Sequence, residues 1–105
     1  MAVKVTTDNE FKDILSSNKK VAVKFYADWC GQCKLMAPKY RKMSDLEEFE
    51  DVVFLDINAE ENQEARKMAG VNNLPFFAVF KDGELLEGRP TSKKEKVQEM
   101  IQSLS

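Results

Sequence analysis

Histidine is absent from the 105 residues, and only two cysteines and one tryptophan occur. Without His, general-base, zinc and haem schemes built on imidazole are excluded. No apolar run approaches the roughly 18 residues of a membrane-spanning helix, so no membrane partner is expected. Neither sign of charge dominates: sixteen Lys and Arg stand against eighteen Asp and Glu, a net charge of −2. That balance argues against nucleic acid, which needs a concentrated basic face. Lys93, Lys94 and Lys96 are too few to make one. No Pro/Gly/Ser-rich linker, low-complexity tract or internal repeat divides the chain. The start, MAVKVTTDNEFKD, has no basic segment followed by an apolar one. No secretory signal is therefore visible, and a cytoplasmic setting is expected. What is present, 43 % apolar and 32 % charged residues, fits a single folded domain over residues 1–105. A chain of this length buries about two-thirds of its unfolded surface without staples. No long apolar stripe is left over for an obligate dimer, so a monomer is expected.

The two cysteines, Cys30 and Cys33, flank Gly31 and Gln32. A disulfide across so short a loop constrains the unfolded chain little and is a poor stability device. Two thiolates make half of a four-ligand zinc site, and no His completes one. A dimer sharing four thiolates would complete one, but nothing else in the sequence suggests it, and no metal is expected. The remaining reading is reversible dithiol–disulfide chemistry.

Along the chain, residues 2–6 alternate apolar and polar and read as an edge strand. Thr7 with Glu10 forms a capping-box pattern, and Phe11, Ile14 and Leu15 supply a helical stripe ending near Asn18. Val21–Ala27 is apolar apart from Lys24, as in a strand covered on both faces. Residues 32 to about 50 read as a long helix kinked at Pro38. Val52–Ile57 is a second buried strand. Asn62–Ala69 forms a short helix ended by Gly70. Phe76–Phe80 is a third apolar strand, and Asp82-Gly83 is a hairpin signal into Glu84 to about Gly88. Residues 92 to about 103 place Val97, Met100, Ile101 and Leu104 on one helical face, with Ser92 and Glu95 as a second capping box. The order is β-α-β-α-β-α-β-β-α. With right-handed crossovers it predicts a three-layer α/β/α fold around a mixed sheet. The helical Met36, Met43, Met68 and Met100 read as core fillers. Glu47-Glu48 and Glu60-Glu61 read as solvated surface.

The segment Phe25-Tyr26-Ala27-Asp28-Trp29-Cys30-Gly31-Gln32-Cys33-Lys34-Leu35-Met36-Ala37-Pro38 resembles the active-site segment of the thioredoxin family. Leu74-Pro75 is similar to that family's cis-proline loop, and the element order matches from end to end. The resemblance implies a thioredoxin fold with five strands and thiol–disulfide oxidoreduction on protein substrates. In that scheme Cys30, at a helix N-terminus whose N–H groups and dipole favour a thiolate, is the nucleophile. Cys33, one turn inside, resolves the mixed disulfide. Gly31 keeps the approach open, and Trp29 covers the site with apolar surface. Pro75 is cis, and the backbone of Leu74 pairs with an extended substrate. No bound cofactor is required, and a thioredoxin-reductase-type flavoprotein using NADPH is the implied electron donor. Read without the resemblance, Trp29 could be a core aromatic and Pro75 an ordinary turn proline.

Five positions depart from the family pattern. Gln32 stands where thioredoxins have Pro, which implies a more oxidising couple. Lys24 stands where the family buries an acid beneath the second cysteine. By register, Asp56 falls where thioredoxins often carry Lys. The two are expected to form a charge-reversed pair beneath Cys33 and to modulate its ionisation. Alternatively, Lys24 snorkels to the sheet's end and Asp56 is a solvated strand-end acid. Thr91 replaces a Gly, and Phe76 follows the cis proline where Thr is common; both are expected to add bulk at the substrate groove. These departures keep two other functions open: a disulfide oxidant or isomerase-like exchanger, and a non-catalytic binding module.

Overall fold

The computed structural model describes residues 3–105. Its elements are β1 (Lys4–Val5), α1 (Asp8–Ser17), β2 (Lys20–Tyr26), α2 (Gly31–Ser44), a 3₁₀ turn (Glu47–Phe49), β3 (Val53–Asn58), α3 (Gln63–Ala69), β4 (Phe76–Lys81), β5 (Glu84–Pro90) and α4 (Lys94–Gln102). The five strands form one sheet in the order β1-β3-β2-β4-β5. β1, β3 and β2 are parallel, while β4 and β5 run antiparallel. The expected order and mixed sheet are both present.

Strand alternation separates the core into two halves. Val21, Val23 and Phe25 of β2 face Phe11 and Leu15 of α1 and Ala65 and Ala69 of α3. Ala22, on the other face, joins Met36, Tyr40 and Met43 of α2 with Val97, Met100 and Ile101 of α4. This burial on both faces explains why β2 and β4 read as nearly continuous apolar runs.

Several expected boundaries move. Helix α2 ends at Ser44 and not near residue 50. Its buried stripe runs through Met36, Tyr40 and Met43, and one more turn would bring Glu47 onto it. The chain instead breaks at Leu46 and re-forms as a 3₁₀ turn that seats Phe49 against Phe54, with ring centroids 6.2 Å apart. The two capping boxes are not made. Thr7 occupies the cap of α1 without a side-chain bond, and α4 begins after Lys93, two residues beyond the expected start. The first strand is only Lys4–Val5; Ala2 lies outside the described residues. Met68 is exposed on α3 and fills no core.

The turn signals hold. Gly70 ends α3 with φ 72°, and Asp82 and Gly83 both have positive φ, 53° and 84°, in the β4–β5 turn. Positive φ at both central residues matches the right-handed twist of the flanking strands.

Candidate active site

The site sits at the carboxyl ends of β2 and β3, where the chain leaves β2 and turns into α2. Cys30 is the N-cap of α2, with extended backbone (φ −84°, ψ 103°). Its N–H donates to the carbonyl of Ala27 at 3.1 Å, which sets the entry of the helix. The Cys33 N–H, an orphan donor of the first helical turn, donates to Cys30 Sγ at 3.2 Å. The two sulfurs are joined as a disulfide. Cys33 is the more buried, at 2 % exposure against 5 % for Cys30.

The surroundings are open on one side. A Cβ at Gly31 would meet nothing within 4 Å, and Gln32 is exposed. Trp29 is 68 % exposed, so it is no core aromatic. Its indole Nε1 donates to Glu60 Oε2 at 2.7 Å. Glu60, read as plain solvated surface, therefore belongs to the rim; no sequence pattern connects it with Trp29, because the two meet only when the β3–α3 loop folds alongside the β2–α2 loop.

On the opposite lip, the Leu74–Pro75 peptide is cis. Leu74 packs against the cysteine pair, and Pro75 is buried. The Leu74 N–H donates to Asn73 Oδ1 at 2.9 Å, a partner that an incoming strand would have to displace. Thr91 N–H donates to the Pro75 carbonyl at 3.2 Å, so Thr91 lies beside the loop as its register implied. Phe76 does not add bulk there. It is 3 % exposed and points away, packing edge-on against Phe25 with ring centroids 6.3 Å apart. The period-2 alternation of β4 puts Phe76, Ala78 and Phe80 together in the α1/α3 half of the core.

Beneath Cys33, Lys24 Nζ lies 3.2 Å from Asp56 Oδ1. The ammonium also sits 5.4 Å from the centroid of the Tyr26 ring. Lys24 does not snorkel out; its side chain is 4 % exposed. Burial raises the Asp56 carboxyl above its ordinary value, and the charges of Lys24 and Arg41 only partly oppose that. Burial, then the neighbouring acids Asp56, Asp28 and Glu61, likewise raise the Tyr26 hydroxyl. A cavity of about 410 Å³ joins this pair to Cys33. Among the described residues no group of three or more Cys, Asp or Glu could hold a metal ion. No helix among them is long and apolar enough to cross a membrane.

Known proteins are similar to this chain in sequence and in arrangement. The thioredoxin family model matches residues 2–104. Thioredoxin-1 of Schizosaccharomyces pombe is 37 % identical over 87 residues, which is 83 % of this chain and 82 % of the relative. Among solved structures, Malassezia sympodialis thioredoxin superposes with a TM-score of 0.89 at 28 % identity, covering 97 % of this chain and 90 % of that one. The short form of spinach chloroplast thioredoxin F superposes with a TM-score of 0.87 at 32 % identity, covering 97 % and 92 %. A family match across nearly the whole chain, together with a Cys-x-x-Cys pair at the head of α2, places this chain in the thioredoxin family of thiol–disulfide oxidoreductases, which reduce protein disulfides.

Proposed function

We propose that the chain reduces disulfides in protein substrates with Cys30 as nucleophile and Cys33 as resolving thiol. The observation that carries this is the position of Cys30 at the cap of α2, where the Cys33 N–H already points at its sulfur at 3.2 Å. A donor aimed at that atom, at the positive end of a helix, favours the thiolate, which is the attacking form. In the first step a Cys30–sulfur bond forms, the substrate S–S bond breaks, and one substrate sulfur leaves as thiolate and takes a proton from solvent. In the second step Cys33 Sγ bonds to Cys30 Sγ. The Cys30–substrate bond breaks, the second substrate sulfur leaves reduced, and the Cys30–Cys33 disulfide remains.

The rim supports a protein substrate over a small one. The exposed faces of Trp29, Gly31 and Gln32 on one side, and the Leu74 backbone and Pro75 on the other, leave room for an extended segment to approach Cys30. The redox-active disulfide is the only electron carrier in this scheme, with no bound cofactor, and electrons are returned by a thioredoxin-reductase-type partner. In this reading the chain acts as a single monomeric domain serving cell redox homeostasis in the cytoplasm.

The test is to trap the intermediate. Cys33→Ser incubated with insulin should accumulate a covalent adduct that dithiothreitol releases, while Cys30→Ser should form none. An adduct formed through Cys33 in the Cys30→Ser protein, with Cys33→Ser unreactive, would reverse the roles.

A further inference from the structure

Lys24 and Asp56 are direct partners across the parallel β2–β3 ladder, and their exposures are unequal: 4 % for the base and 23 % for the acid. A lone buried ammonium is costly, so Asp56 compensates it and is held in place by it. The acid is therefore the member of the pair with access to solvent. Asp56 Oδ1 is itself buried and lies 3.2 Å from Lys24 Nζ as an ion pair, with no other hydrogen-bond partner. The partly exposed Asp56 side chain also lines the cavity that contains Cys33, with Tyr26, Asp28 and Lys34 around it.

We infer that Asp56 takes the proton of Cys33 in the resolving step, through water in this shared cavity, and that Lys24 is the positioning residue that holds Asp56 in place. The inference rests on the dithiol reading above. As Cys33 Sγ bonds to Cys30 Sγ, the Cys33 thiol proton passes to the Asp56 carboxylate. The electron pair of the breaking Cys30–substrate bond leaves on the substrate sulfur. In this step the Cys33 sulfur is oxidised and the second substrate sulfur is reduced, while the Cys30 sulfur exchanges one disulfide partner for another. Asp56 then gives its proton to solvent at its exposed side. When the disulfide is reduced again the proton runs back along the same path.

The other groups facing Asp56 suit this assignment. Tyr40, on α2, is held well above 10 by burial and stays neutral while its hydroxyl donates to the Leu55 carbonyl. Arg41, also on α2, and Lys24 keep the carboxyl from rising as far as burial alone would take it. Tyr26 is likewise neutral near pH 7. A carboxyl raised above its ordinary range is a better match to a thiol proton than an unperturbed one.

The experiment mixes reduced protein with Ellman's reagent in a stopped-flow instrument from pH 5.5 to 9. The first thionitrobenzoate released reports attack by Cys30, and the second reports resolution by Cys33. Asp56→Asn should slow the second phase about tenfold or more at pH 6 to 7, as loss of a general base does. The first phase should stay within about twofold, and the deficit should close toward pH 9 as solvent deprotonates the thiol. Asp56→Glu should restore the second phase. The double variant Lys24→Met with Asp56→Asn leaves no unpaired buried charge and keeps the protein folded; it should show the same slow second phase. A double variant resolving at the parental rate with the parental pH profile would overturn the inference. A parental protein releasing neither equivalent would instead remove the dithiol reading on which it rests.

Discussion

Trp29 is tied to Glu60 across the rim of the active site, indole Nε1 to carboxylate Oε2 at 2.7 Å, although 31 residues separate them. The bond fixes a side chain that is otherwise 68 % exposed, so the large apolar face beside Cys30 is presented in one orientation. A charge-assisted bond at the surface adds little stability, because water competes for both partners. Its effect is on order and not on folding.

Glu60→Ala should therefore shift the thermal midpoint by less than about 4 °C. It should also lower the fluorescence anisotropy of Trp29, the chain's only tryptophan, by freeing the ring. Unchanged anisotropy would mean that packing, and not Glu60, holds the indole.

Tyr40 is 1 % exposed and its hydroxyl donates to the Leu55 carbonyl at 3.1 Å. Its ring packs against Phe54 and Phe77, with centroids 5.3 and 5.5 Å away. Tyr40→Phe keeps the ring and loses one bond, so urea unfolding should report a loss of about 1 kcal/mol. Tyr40→Ala opens a cavity at the centre of the α2/α4 half-core and should lose about 3–5 kcal/mol. Equal losses for the two would show that the hydroxyl dominates.

Gly88 accommodates Phe76. A Cβ there would lie 3.0 Å from Cε1 and Cζ of the Phe76 ring and 3.1 Å from the Ala69 carbonyl. Gly88→Ala should destabilise the protein by about 1–3 kcal/mol through overpacking. Adding Phe76→Leu should recover part of that loss in the same unfolding assay, since the ring is the group displaced.

The raised carboxyl of Asp56 sets a direction for stability against pH. The folded protein binds this proton more tightly than the unfolded chain does. The stability contributed by Asp56 is thus complete below the ordinary value of 3.8 and is lost as pH rises through the higher folded value. Urea unfolding at pH 4, 5, 6 and 7 should show the parent losing stability relative to Asp56→Asn as pH rises. A difference that does not vary with pH would mean that Lys24 and Arg41 cancel the effect of burial.

Much of the fold can be read locally. The apolar runs of β2, β3 and β4, the Asp82-Gly83 turn and the Gly70 stop each follow from a few neighbouring residues. Helix ends were less legible. Asp8 illustrates why: its carboxylate accepts from the N–H groups of Glu64 and Ala65, at 3.2 and 2.9 Å, and so caps α3 from the start of α1. No pattern within α3 contains that information.

The sequence by itself determined the order of elements, the pairing of Cys30 with Cys33 at the head of a helix, and the turn at Asp82-Gly83. Periodicity, helix-end chemistry and glycine conformation act over a few residues and need no partner. Only the tertiary structure decided which groups meet across the sheet and between loops. It buried Lys24 against Asp56, turned Phe76 into the core over Gly88, and brought Glu60 to Trp29. Those contacts depend on strand register and layer stacking, in which shifting a strand by one residue exchanges its core face for its other face.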